Sequence, residues 1–217
     1  MEIHDSLLLA TSNISACFTL IPLFFAFIFF KNIYTNAFYI FILVFVSALV
    51  EGLNSFYSLF GENNFFIFHF YTIIEFCLIS LFYRNFFKNY IQAKVFYFFI
   101  VLFLVFAFTD YKLNGLDSID NLAISVESII LTLYSLYLYY FVLKNLVFDK
   151  LLDAPVFWIN SGILIYFMGN LMLFVFSNYL LVGDPTIHNK LWSLIHSFFN
   201  VIYNTLIVIG FWKARVR

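Results

Sequence analysis

Residues 65–94 read FFIFHFYTIIEFCLISLFYRNFFKNYIQAK, and this stretch decides the architecture. From Phe65 to Phe87 it is apolar and long enough for a helix to cross a hydrocarbon core, which takes about 20 residues. A carboxylate, Glu75, stands in the middle of the run, and three cations, Arg84, Lys88 and Lys94, collect at its end. Six further apolar stretches flank it. The expected spans are about 7–30, 36–60, 65–87, 95–109, 119–143, 154–181 and 189–212.

The expected fold is an all-α integral membrane protein, one seven-transmembrane-helix bundle over 1–217. Pro22 falls inside the first span, where a membrane helix tolerates it. Gly61-Glu62-Asn63-Asn64 reads as the turn closing the second. The fourth is the shortest. Asp153-Ala154-Pro155 predicts the start of the sixth, with Asp153 as cap, and Gly183-Asp184-Pro185 predicts its end.

Basic residues orient the bundle. Nine of the eleven fall in alternate breaks or at the carboxyl end: Lys31; Arg84, Lys88 and Lys94; Lys144 and Lys150; Lys213, Arg215 and Arg217. Only Lys112 and Lys190 lie in the other breaks. Short basic loops stay cytoplasmic, so the amino terminus is expected outside and the carboxyl terminus inside. Glu2, Asp5, Glu62, Asp110, Asp117, Asp120 and Asp184 are placed on the outer side, and Asp149 and Asp153 on the inner. Trp192 and Tyr57 are expected in an outer aromatic belt, with Trp158, Trp212, Tyr34, Tyr90, Tyr139 and Tyr140 in an inner one.

Composition agrees. The chain is 64% hydrophobic and 11% charged, against roughly 25% charged in soluble domains. No Gly-rich phosphate loop occurs, and the cations are spread over four regions, which argues against nucleic-acid binding. The start, Met1-Glu2-Ile3-His4-Asp5, lacks the basic region of a secretory signal, so the first span is expected to be retained. Cys17 and Cys77 read as buried packing residues. Heavy use of Phe, Tyr, Ile and Asn suggests a bacterial source, hence a multi-pass protein of the cell inner membrane.

Polar groups at membrane depth are costly and tend to face a bundle's interior. Ser47, Glu51, Asn54 and Ser58 recur at helical spacing on one face of the second span, and Ser193, His196, Asn200 and Asn204 repeat it in the seventh. The third span adds His69, Thr72 and Glu75, the fifth Glu127, and the sixth Asn170 with Ser177. At about 1.5 Å per residue, Glu75 lies roughly 15 Å deep, with Glu127 and His196 about 10–12 Å from the outer surface. A carboxylate near mid-membrane costs about 2.5–3.5 kcal/mol unless neutralised or paired. The expected ligand-binding set is Glu51, Asn54, His69, Glu75, Glu127, Asn170, His196 and Asn200, converging on an outward cavity with Asn200 at its floor. Ser and Asn at these positions also serve simply to join helices. His188 and His4 are assigned to the outer interface.

Retinal is excluded as cofactor because no Lys is embedded in a span. Zinc on His69, Glu75, Glu127 and His196 is chemically possible, but no HExxH spacing supports it. No GxSxG-like elbow marks a serine nucleophile. A proton-coupled carrier using Glu51, Glu75, Glu127 and His196 lacks a clear continuation to the inner side. Tyr83-Arg84-Asn85, and Asn200 with Tyr203, resemble in position the switch motifs of animal seven-helix receptors, and no function is carried over from them. The expected function is a receptor-like sensory or accessory subunit. It holds a small ligand or proton in its pocket and signals to a cytoplasmic or membrane partner; the alternative is a membrane-embedded enzyme, metal-dependent or not, or a proton-coupled carrier, using Glu75, Glu127 and His196.

Overall fold

Long runs of Phe, Leu and Ile leave the backbone no polar partner in lipid except itself, so helix is the only spanning solution for each segment. In the computed structural model the described residues are 2–29, 37–60, 63–116 and 118–215, with side chains described from residue 11 onward. Lys31, Tyr34, Gly61, Glu62, Asp117 and Arg217, and the side chains of Glu2, His4 and Asp5, lie outside them.

Among the described residues seven helices are long and apolar enough to cross a membrane. They are α1 (Glu2–Ile28), α2 (Phe38–Leu59), α3 (Phe65–Phe86), α4 (Ala93–Asn114), α5 (Asn121–Asn145), α6 (Pro155–Gly183) and α7 (Pro185–Ala214). No strand occurs among them. Six helices close a ring in the order α1, α2, α3, α5, α6, α7, sealed where α1 meets α7; α4 packs outside, against α3 and α5. Phe24, Val101, Leu133, Met172 and Phe198 point outward and exposed, as acyl-chain contact requires. Inside, Phe76 stacks on Phe103 at 4.1 Å, and Phe87 meets Phe141 edge-on at 5.3 Å, joining α3 to α4 and α5.

Three helix ends differ from the sequence reading. α4 continues to Asn114, past the expected end at Thr109, and buries Asp110 completely. Asp110 is therefore not a loop acid: it accepts from the Ala123 N–H at 3.0 Å, an otherwise orphaned donor in the first turn of α5. Asp153 is not the cap of α6, whose first turn has no side-chain cap; it pairs instead with Lys213 at 2.8 Å. The cap works one connection later. Asp184, in extended backbone, accepts from Thr186 and Ile187 N–H at 2.9 and 3.3 Å, so α7 begins at Pro185 rather than near Asn189. Within α7, Trp192–His196 forms a π-helical turn. Cys17 is exposed rather than packed.

Candidate functional site

Antiparallel helices gather the carboxyl ends of α2, α4 and α6 with the amino ends of α3, α5 and α7, opposite the connections that carry Lys88 and Lys150. A cavity of about 830 Å³ enters the bundle from this gathered end. It runs from Ser58, Asn64, Asp120 and Thr186 down to Asn204. Both polar stripes line it, Ser47, Glu51, Asn54 and Ser58 from α2 and Ser193, His196, Asn200 and Asn204 from α7.

Glu75 is buried in the wall and accepts a hydrogen bond from the Tyr71 hydroxyl at 3.0 Å. Tyr71 Oη lies 2.9 Å from Ser47 Oγ, which donates to the Leu43 carbonyl at 2.8 Å. This chain of hydroxyls ties α3 to α2. Glu51, one turn further along α2, is half-buried and faces the same space. Asn54 is bonded to Asn64 across the mouth of the α2–α3 hairpin.

Three other expected residues stand outside the lining. His69 is buried against the α4–α5 connection, its Nε2 3.0 Å from the Ser118 carbonyl. Glu127 is fully buried behind the wall, and neither carboxyl oxygen has a hydrogen-bond partner among the described residues. Asn170 donates back to the Tyr166 carbonyl at 2.9 Å, within its own helix. Asn200 lines the floor but is engaged: its amide donates to Ser15 Oγ at 2.8 Å, holding α7 on α1. The higher bond between Ser12 and Ser193, 2.9 Å, repeats that junction.

The opposite wall is aromatic. His188, Trp192 and His196 follow one another up α7 at spacings of four, with centroids 5.7 and 4.5 Å apart and rings near parallel. His196 Nε2 lies 3.0 Å from the Tyr166 hydroxyl, and the Tyr166 ring lies 5.1 Å from that of Tyr203. Trp192 therefore sits in the cavity wall, not in an outer belt, and His188 is buried beside it rather than at an interface. The early start of α7 explains both, because it brings His188 into the helix.

Asp120, read from sequence as an outer-loop acid, is also buried and lines the cavity. Burial pushes its carboxyl above the usual carboxylate range, while the bond from Thr72 and the nearby His69 pull the other way. Its legible signal was the place directly before α5, where short acids terminate loops and begin helices. Tyr71 and Tyr166 carry no polar-stripe signal, because tyrosine in an apolar run reads as packing.

Beneath the floor, toward the basic end, lies a second polar cluster. Tyr83, fully buried, donates to Asn160 Oδ1 at 2.7 Å and lies 2.7 Å from Ser135 Oγ; Asn160 Nδ2 donates to the Ser135 carbonyl at 3.2 Å. Tyr83 has one proton to give, so Ser135 donates to Tyr83 and the cycle closes across α3, α5 and α6.

Comparisons with family models, curated proteins and solved structures find no match to this chain. Its chemistry must be read from the residues themselves. Among the described residues no three His, Cys, Asp or Glu side chains gather as a metal site. His69, Glu75, Glu127 and His196, the four side chains weighed as zinc ligands, are divided between cavity wall and packed interior.

Proposed function

We propose that this chain is a receptor-like subunit of a bacterial inner membrane. It binds a small molecule in an outward-facing cavity and reports occupancy to its basic, cytoplasmic end. The observation that carries the reading is the cavity, whose volume of about 830 Å³ falls within the roughly 300–1,000 Å³ of small-molecule sites. Polar groups from five helices converge on it. The Tyr83–Asn160–Ser135 cycle below supplies the coupling element, since an occupant that shifts α3 against α6 must reseat these bonds. The connections bearing Arg84–Lys94 and Lys144–Lys150 are where a cytoplasmic or membrane partner would dock.

The test is to release small molecules from purified protein and identify them by mass spectrometry. Wild type is compared with Ala16→Phe and Ser197→Phe, each of which fills cavity space. A compound enriched on wild type and lost from both folded variants supports the reading; indistinguishable extracts refute it. Cysteines placed at Lys88 and Lys150 should react with an impermeant maleimide only after the membrane is opened.

A second reading, a proton-coupled carrier, draws on hydroxyls between Glu75 and the basic end: the buried Tyr203, Tyr83 and Ser135, and the partly buried Tyr139–Ser161 pair at 2.5 Å. Proton uptake by vesicles carrying the protein, abolished in Glu75→Gln, would favour it.

A further inference from the structure

The ionisable lining of the cavity is acidic apart from two histidines. Glu51, Glu75 and Asp120 all line it, and no Lys or Arg stands among its described lining residues. These carboxyls are unequally served. Asp120 receives the Thr72 hydroxyl, and His69 lies near it behind the wall. Glu75 receives a single hydroxyl, from Tyr71. Glu51 stands one turn beyond Ser47, about 6 Å nearer the mouth, with no hydrogen-bond partner among the described residues. Buried or half-buried carboxylates hold their charge only when something answers it.

Four occupants can be weighed against this lining. An anion would meet three carboxyls and no cation. A divalent metal finds no cluster of three ligating side chains among the described residues. A bare alkali ion would leave the apolar area of the facing wall, where Trp192, Tyr166 and Phe174 stand, without an apolar partner. A neutral polar molecule could donate to Glu51 and Glu75 but would bring them no opposite charge. A cation with an apolar body satisfies both walls at once, with charge toward α2 and α3 and carbon toward α6 and α7.

We propose that the cavity takes a small organic ammonium ion, its charge held by Glu51 and Glu75 and its methyl groups or ring set against the wall of Trp192 and Tyr166. The inference rests on reading the cavity as a ligand site and adds the chemical class of the ligand. The cavity is roomy enough for an arylalkyl or quaternary amine. Asn200 and His196 are already engaged with Ser15 and Tyr166, and the carboxyls are the lining groups that can carry negative charge.

The experiment uses the full chain in nanodiscs, with Trp158 and Trp212 replaced by Phe so that Trp192 alone reports. Choline and phenethylammonium are titrated against their uncharged counterparts 3,3-dimethyl-1-butanol and 2-phenylethanol, at ionic strength matched with NaCl. Saturable fluorescence change with the ammonium ions, at least about tenfold tighter than with the neutral partners, supports the proposal. Glu75→Gln should weaken ammonium binding about tenfold and leave the neutral compounds unmoved. Glu51→Gln, at a half-buried position by the mouth, gives the same readout if Glu75→Gln fails to fold. Neutral compounds binding as tightly as the cations overturn the charge class while leaving a ligand cavity. No binding by any of the four overturns both.

Discussion

Replacing Tyr83 by Phe removes one oxygen atom from the centre of the bundle and keeps the ring, whose contacts with Phe82 at 5.3 Å and Tyr134 at 5.4 Å hold its place. Two hydrogen bonds of 2.7 Å disappear. Ser135 can turn its hydroxyl to the carbonyl one turn earlier, as Ser in helices commonly does, so its donor is recovered. Asn160 Oδ1 has no such escape and is left as a buried acceptor. A stranded buried acceptor costs about 1–3 kcal/mol, whereas hydrogen bonds between membrane helices average about 0.6 kcal/mol. The expected loss is therefore about 1–2 kcal/mol, read as the shift of an SDS-unfolding titration in mixed micelles. Asn160→Leu in the Tyr83→Phe background removes the stranded acceptor, so the double variant should be less destabilised than the sum of the singles by about 0.5–1.5 kcal/mol. A Tyr83→Phe protein as stable as wild type, or strict additivity in the cycle, refutes a closed network linking α3, α5 and α6.

Asp184→Ala should cost about 1 kcal/mol and accelerate hydrogen exchange at the Thr186 and Ile187 amides; unchanged exchange there would mean Asp184 is no cap. Burial holds the Asp120 carboxyl above its ordinary value of 3.8. The folded protein then retains a proton the unfolded chain has released, so this stabilisation is full below about pH 4 and is lost as pH rises toward the folded value. Asp120→Asn should flatten that part of the stability–pH curve, and parallel curves for the two proteins would contradict it. A side chain at Gly162 would set its Cβ 3.3 Å from the Tyr203 carbonyl oxygen, so Gly162→Val should destabilise the α6–α7 crossing by about 1–3 kcal/mol. An unshifted unfolding midpoint would show that the crossing has slack.

Segments such as Phe65–Phe86 and Phe38–Leu59 were legible because twenty apolar residues in succession admit one solution in lipid. The stripes on α2 and α7 were legible for a related reason: helical spacing puts their polar members on one face whatever the neighbours do. Glu127 and Asn170 lie behind the wall, because a polar residue in a span marks a face but not which neighbouring helix that face meets. His188 was lost through a boundary. Asp184-Pro185 reads equally as the end of one helix and the cap of the next, and only the second choice lifts His188 into the aromatic column. Tyr71 and Tyr166 were invisible for want of contrast, since a hydroxyl on a ring among many rings gives no polar signal.

The π turn at Trp192–His196 divides the wall of α7 into two registers. Above it, Pro185–Leu191 follows one screw; below it, Ser197–Ala214 follows another, displaced by one residue. Relaxing that extra residue into an ordinary turn swings the upper segment by about 100° about the helix axis. His188 would leave its stack while Asn200 stayed clasped to α1. The π turn thus sets which side chains of the upper segment face the cavity.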